Sequence, residues 1–266
     1  MSPAPRSETS RLCAGIASLL AVAALSLGCA DPKDTSDPLS SARHALGHDS
    51  AAHSETGWSA RGDNEVFGVH AEMSLLWDNA VSFVSTTAGN IGMTTGFDGR
   101  TVWESDASGF VRTLEGAERN DALLTHWFRT GQWVHPETNL VLAPSDAPHT
   151  LAFTLGERTK GTITLDPATG RARQFTWNDG EGDRTLTIES FQRFRGRWLP
   201  ARSTFSQSGL SSTATIESLE PAPVFIRNPY EPVASAPSPA RFDDTQPAAL
   251  QVKRARTGHL LVKPII

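Results

Sequence analysis

His44, His48 and His53 stand close together in the chain, with Asp49 beside the second. Imidazoles at i and i+4 of a helix share a face and hold a transition metal when further donors are fixed nearby. The surrounding Ser-, Ala- and Asp-rich sequence fixes no fourth ligand, so no metal centre is expected. Asp179, Glu181 and Asp183 alternate with glycines, as the donors of a calcium loop do, but the later bidentate glutamate is missing at the required spacing. A solvated hairpin turn accounts for them. Ser108-Gly109 and Ser208-Gly209 lack the flanking glycine of a nucleophile elbow. His70, His126, His135 and His149 share no motif, and neither a phosphate loop nor a dinucleotide fingerprint is present. The sequence therefore assigns no catalytic residue, no metal and no cofactor.

The residue with the clearest chemical fate is Cys29. Arg6 and Arg11 precede an uncharged run from Leu12 to Leu27 that is rich in Leu, Ala and Val. Such a run fits a secretory core of roughly 7–15 residues and falls short of the ~20 that a spanning helix needs. Ser26-Leu27-Gly28-Cys29, with Leu25 ahead of it, resembles the bacterial lipobox, in which the cysteine is lipidated and becomes the mature N-terminus. Ser26 replaces the usual apolar residue three places before the cysteine. The resemblance implies a signal peptide over 1–28 and a membrane partner reached through acylated Cys29. Two or more acyl chains suffice for stable anchoring, at about 0.8 kcal/mol per buried methylene. Ala30 carries no acidic retention signal, which favours the outer membrane of a bacterial envelope.

Removing residues 1–28 deletes Arg6, Arg11 and Glu8 and moves the net charge from −5 to −6. No basic block remains, so nucleic acid is not an expected partner. The other cysteine, Cys13, lies in the discarded peptide, so the mature chain has no disulfide and its stability must come from a core. Seven Trp and twelve Phe among 38% hydrophobic residues are enough for one sizeable domain.

Composition divides the chain. Residues 29–62 read as the lipidated Cys and a flexible, disordered tether, and 228–250 as a stiffer Pro-rich linker. Between them, 63–227 is written mostly in period two. Phe67, Val69, Ala71, Met73, Leu75 and Trp77 alternate with their neighbours, and further runs come around Phe97, Phe153, Ile163, Phe175, Leu186 and Thr213. Asp98-Gly99 reads as a two-residue hairpin, and Asp166 to Gly170 as another turn. The period changes once: Leu123, Leu124, Trp127 and Phe128 make one helical face around 115–130, ended by Gly131. The expected fold is mainly β, one large curved antiparallel sheet forming a half-barrel around one packed helix. Trp77, Phe97, Trp103, Trp127, Phe153 and Trp177 either line an apolar ligand pocket or simply pack the core; the sequence leaves both open.

Phe97-Asp98-Gly99-Arg100 through Trp103-Glu104, and Leu165-Asp166-Pro167-Ala168-Thr169-Gly170 through Trp177, Phe194, Gly196, Leu199 and Pro200, resemble the periplasmic lipoprotein-carrier superfamily over roughly 64–220. That resemblance implies a curved sheet around helices with a hollow that holds acyl chains or a lipoprotein. The family usually places a helix before its first strand, and residues 30–62 show no pattern for one. Residues 252–266 resemble the opening strand of retropepsin-like aspartic proteases, so 251–266 reads as the start of such a domain. The chain contains no Asp-Thr-Gly or Asp-Ser-Gly, and the carboxylate pair of that chemistry is absent from it. Ile265-Ile266 ends the sequence in mid-strand, as a truncation would. Three functions are expected: the non-catalytic N-terminal module of an aspartyl-protease-family envelope protein, a lipid- or lipoprotein-binding module, and a structural lipoprotein with no ligand.

Overall fold

Side chains that alternate in period two have one apolar edge to bury, and in this chain a single sheet and one helix share that burial. The computed structural model describes residues 38–48, 57–66, 68–89, 92–180, 182–233, 251–254 and 260–263. Cys29, Asp49, His53, Phe67, Glu181, the signal-peptide reading and most of 228–250 lie outside these residues.

Helix α1 (Pro38–Leu46) comes first, followed by strands β1 (Trp58–Val66), β2 (Val69–Trp77), β3 (Phe83–Thr87), β4 (Met93–Phe97), β5 (Val102–Asp106) and β6 (Val111–Thr113). Helix α2 (Gly116–Thr130) separates these from β7 (Val141–Pro144), β8 (Thr150–Leu155), β9 (Thr159–Leu165), β10 (Ala172–Asn178), β11 (Asp183–Phe194), β12 (Arg197–Gln207) and β13 (Leu210–Pro221). All thirteen strands form one open, curved antiparallel sheet in the order β6-β5-β4-β3-β2-β1-β13-β12-β11-β10-β9-β8-β7. The chain enters at the centre, runs out to one edge, and crosses to the other edge through α2. It then returns until β13 pairs with β1. Helix α2 is therefore the bridge between the two edges, and the mainly β expectation with a helix around 115–130 holds. Strands β14 (Gln251–Arg254) and β15 (Leu260–Lys263) form a separate antiparallel pair.

Helix α2 ends where the sequence says it should. Gly131 takes a left-handed φ of 75°, which only glycine adopts at little cost. Its Leu123, Leu124, Trp127 and Phe128 are all buried. Trp127 serves one half of the sheet: its Nε1 donates to the Val81 carbonyl (2.9 Å), and its ring meets Phe97 edge-on at 6.0 Å. Phe128 serves the other half, stacked on Phe175 at 3.8 Å and edge-on to Phe153 (5.6 Å) and Trp177 (5.8 Å). Adjacent positions on one helix thus clamp both halves. Beneath Phe153 and beside Trp177 sits Gly161, where a Cβ would lie 2.2 Å from the Thr176 carbonyl oxygen. Glycine here lets an aromatic ring lie flat on the backbone.

Three features differ from the sequence reading. A helix does precede the first strand: α1 buries Ala42 and Leu46 and closes with Gly47 at φ 75°. The Gly47 N–H bonds the His44 carbonyl and the His48 N–H bonds that of Arg43, both at 2.9 Å, a Schellman ending. A helix of nine residues carries too few apolar positions for a period to register. The sheet also begins at Trp58, inside the stretch read as tether. The hairpin at Asp98-Gly99 is four residues long, since Phe97 pairs with Val102, and the Asp98 carboxylate accepts the N–H groups of Arg100 (2.8 Å) and Thr101 (2.7 Å). An Asx turn replaces the tighter one.

Candidate functional site

The cross-strand register explains where the fold is full and where it is hollow. Along one inward-facing row Trp58 lies opposite Trp77, Trp77 opposite Phe83, Phe83 opposite Phe97, and Phe97 opposite Val102. These large side chains fill the space under α2. Two residues further along each strand the row reads Ala60, Leu75, Ser85, Thr95, Glu104. Two further on it reads Gly62, Met73, Thr87, Met93. The large aromatic side chains are confined to the first of these rows, and the two that follow carry none. Packing at native density fails where the side chains are small, and the gap opens as a cleft.

The cleft measures ≈ 420 Å³, within the usual range for ligand sites. Val66, Met73, Met93, Leu114, Ala122 and Phe205 supply its apolar surface. A wider depression of ≈ 860 Å³ near Asn120, Glu157, Lys160 and Asn178 lies among polar hairpin residues and offers no comparable apolar floor.

The charges at the cleft are nearly all committed. Arg112 bridges Glu104 (3.1 Å) and Glu118 (2.9 Å) at the mouth. Asp121 pairs with the buried Arg184 and accepts the Trp177 Nε1 hydrogen (2.7 Å), while Arg184 also reaches Asp179 at 2.8 Å. Burial, the largest influence on Asp121, still pushes its pKa up. His126 is stacked on Phe83, centroids 4.2 Å apart, with Nδ1 2.7 Å from the Ala122 carbonyl. A carbonyl only accepts, so Nδ1 carries the proton and Nε2 is left as an acceptor. Burial, helped by the Arg129 charge against the opposing Ala122 bond, pushes the His126 pKa down to about 4. The ring is neutral at pH 7.

The six aromatic residues named from the sequence divide between the two faces of the sheet. Trp77, Phe97, Trp127, Phe153 and Trp177 belong to one buried cluster under α2. Trp103 faces the other side of the sheet, its ring against Gly96 and its Nε1 donating to the Tyr230 carbonyl (2.8 Å). None of the six lines the cleft. The signal for the cleft was the absence of aromatic residues from the inward-facing rows beyond the first, visible only once register is known. His44 and His48 do not share a helix face, because Gly47 ends α1 between them, and Arg197 donates to the His48 ring at 2.7 Å. Asp179 turns inward to Arg184, and Asp183 accepts from Asn178 (2.7 Å). Among the described residues no group of three or more His, Cys, Asp or Glu is placed to hold a metal ion. Among the same residues, no helix is long and apolar enough to cross a membrane.

No protein-family model matches the chain, and no curated protein matches it in sequence. Among solved structures it is similar to the LolA superfamily protein NE2245 from Nitrosomonas europaea, at 13% identity and a TM-score of 0.47, over 69% of this chain and 94% of that one. It is also similar to a DUF1329 family protein from Desulfovibrio piger, at 8% identity and a TM-score of 0.44, over 69% and 91%. A third similarity is to the Pseudomonas aeruginosa MucA/MucB complex, at 12% identity and a TM-score of 0.22. Similarities of this size say nothing about activity, and function has to be read from the chain's own geometry.

Proposed function

We propose that this chain is an extracytoplasmic lipoprotein whose β domain binds an acyl chain in the cleft between α2 and the sheet. The cleft carries the reading: it opens beyond the row of aromatic side chains, and Val66, Met73, Met93 and Phe205 give it the apolar surface an acyl chain would cover. The lipid anchor is inferred from the lipobox-like sequence at Cys29, and an envelope location, with the outer membrane favoured, follows from that anchor. A structural lipoprotein with no ligand would have no reason to keep such a gap, because filling it with larger residues stabilises a domain.

Native mass spectrometry of the purified chain tests the binding. A copurified mass of one acyl lipid, or stoichiometric uptake of added oleate, is the expected result; an unliganded chain that ignores oleate overturns the reading. Metabolic labelling with palmitate tests the anchor separately, and the label should vanish in Cys29→Ser.

The aspartyl-protease-module reading has one observation in its favour, the small separate sheet of β14 and β15 beyond the Pro-rich segment. Reading the coding DNA beyond Ile266 decides it: Asp-Thr-Gly or Asp-Ser-Gly within the next twenty or so codons is the expected sequence, and its absence ends the idea.

A further inference from the structure

The lining of the cleft contains two arginines. Arg112 is accounted for by Glu104 and Glu118. Arg129 is not. It stands in the last turn of α2 and reaches over the inner face of the sheet, beside Met73, Leu75, Ala214 and Ile216. Among the described residues it makes no ion pair, and its Nε is buried without a hydrogen-bond partner. Burial alone pushes its pKa down to about 10, so the guanidinium is still charged at neutral pH.

Arg129 as a whole is partly buried, yet a charged group with a buried, unpartnered N–H is costly and is ordinarily paired, hydrogen-bonded or replaced. The carbonyl end of α2 offsets part of that cost. The buried Nε still lacks an acceptor. The three carboxylates that line the cleft are all engaged elsewhere: Glu104 and Glu118 by Arg112, and Asp121 by Arg184 and Trp177. Among the described residues the lining of the cleft therefore presents one cation without an ion-pair partner, next to the apolar surface of Met73 and Leu75. A matching ligand carries one anionic group on an apolar chain.

On the reading that the cleft takes an acyl chain, we propose that Arg129 is its head-group anchor, and that the ligand is a single-chain amphiphile with one carboxylate or phosphate. The chain lies along Met73, Met93, Val66 and Phe205, and the head group forms charge-assisted, bidentate bonds with the guanidinium. His126, one turn back on the same helix, also lines the cleft and is neutral, so it adds no charge of its own there. Carboxylate and phosphate share this chemistry, and the experiment separates them.

The test uses the purified chain stripped of copurified lipid, titrated calorimetrically with three oleoyl probes: oleate, 1-oleoyl lysophosphatidate and oleyl alcohol. Either anion or both should bind at least about tenfold more tightly than the alcohol, the tighter one naming the head group. In Arg129→Leu that preference should disappear while oleyl alcohol still binds, and Arg129→Lys should keep part of it. Arg129→Leu should also melt at the same temperature as the parent or higher, because a partly buried charge with an unpartnered Nε has been removed. A purely structural arginine would instead lower the melting temperature and leave the preference intact. Equal affinity for all three probes, unchanged in Arg129→Leu, overturns the anchor and leaves the acyl-chain reading standing. No binding of any probe to the parent chain overturns both.

Discussion

Replacing Phe128 with alanine is expected to remove about 3–5 kcal/mol of stability. The ring is buried on α2 and touches three aromatic side chains of the second half of the sheet, Phe153, Phe175 and Trp177. Truncation removes the transfer free energy of the ring and leaves a hole among rigid neighbours that close in poorly. The stacked partner at 3.8 Å adds roughly 0.5–1.5 kcal/mol beyond area. Domains of ordinary stability have about 5–15 kcal/mol in total, so the variant should sit near the edge of folding at 37 °C. Equilibrium urea denaturation measures it. Phe128→Leu, which keeps most of the volume, should lose less than half as much. A loss under about 1 kcal/mol for Phe128→Ala would mean that α2 is not the clamp between the two halves.

The second large effect is on pH dependence. His126 has a folded-state pKa of about 4, against 6.5 for the free side chain. Above pH 6.5 both folded and unfolded chains hold it neutral, and its stability contribution is complete. As pH falls from 6.5 to 4 the unfolded chain takes up the proton and the folded chain does not, so stability is lost through this window. At 1.36 kcal/mol per pKa unit the loss is about 3 kcal/mol. Asp121 acts in the opposite sense, because its raised pKa favours the folded state at low pH. Comparing the parent chain with His126→Phe cancels such shared contributions. Phenylalanine preserves the stack on Phe83 and does not titrate. The stability difference between the two chains should change by about 3 kcal/mol in favour of the variant between pH 7.5 and pH 4. Parallel pH profiles would show that His126 is solvated in the folded chain.

The elements legible in the sequence are those with a sustained period. Val69 to Trp77 alternates over a full strand, and Leu123 to Phe128 marks one face of α2, so composition and spacing alone place them. The illegible elements have physical reasons. In β1 the inward positions after Trp58 are Ala60, Gly62 and Asn64, small or polar, and the strand is held by ladders to β2 and β13 on both sides. Tertiary pairing overrides a weak local preference there. Helix α1 buries its few apolar residues against the second half of the sheet, with Arg43 Nε donating to the Val134 carbonyl at 2.9 Å, a contact 91 residues away in sequence. The aromatic residues drew attention as pocket candidates because they are large, and large residues fill space. The cleft is where they are absent. Arg129 at the end of a helix reads as an ordinary dipole partner until the sheet beneath it is known.

Entry of an acyl chain into this cleft, on which the proposed function depends, has two built-in reporters. The chain contains three methionines, and two of them, Met73 and Met93, line the cleft while Met1 lies far away in sequence. Labelling methionine methyl groups with carbon-13 and adding oleate gives a direct reading by NMR. The Met73 and Met93 resonances, assigned by single substitution to leucine, should both move and saturate at one oleate per chain, with any Met1 signal unmoved. Saturable oleate binding that leaves both of these resonances in place would contradict binding in this cleft.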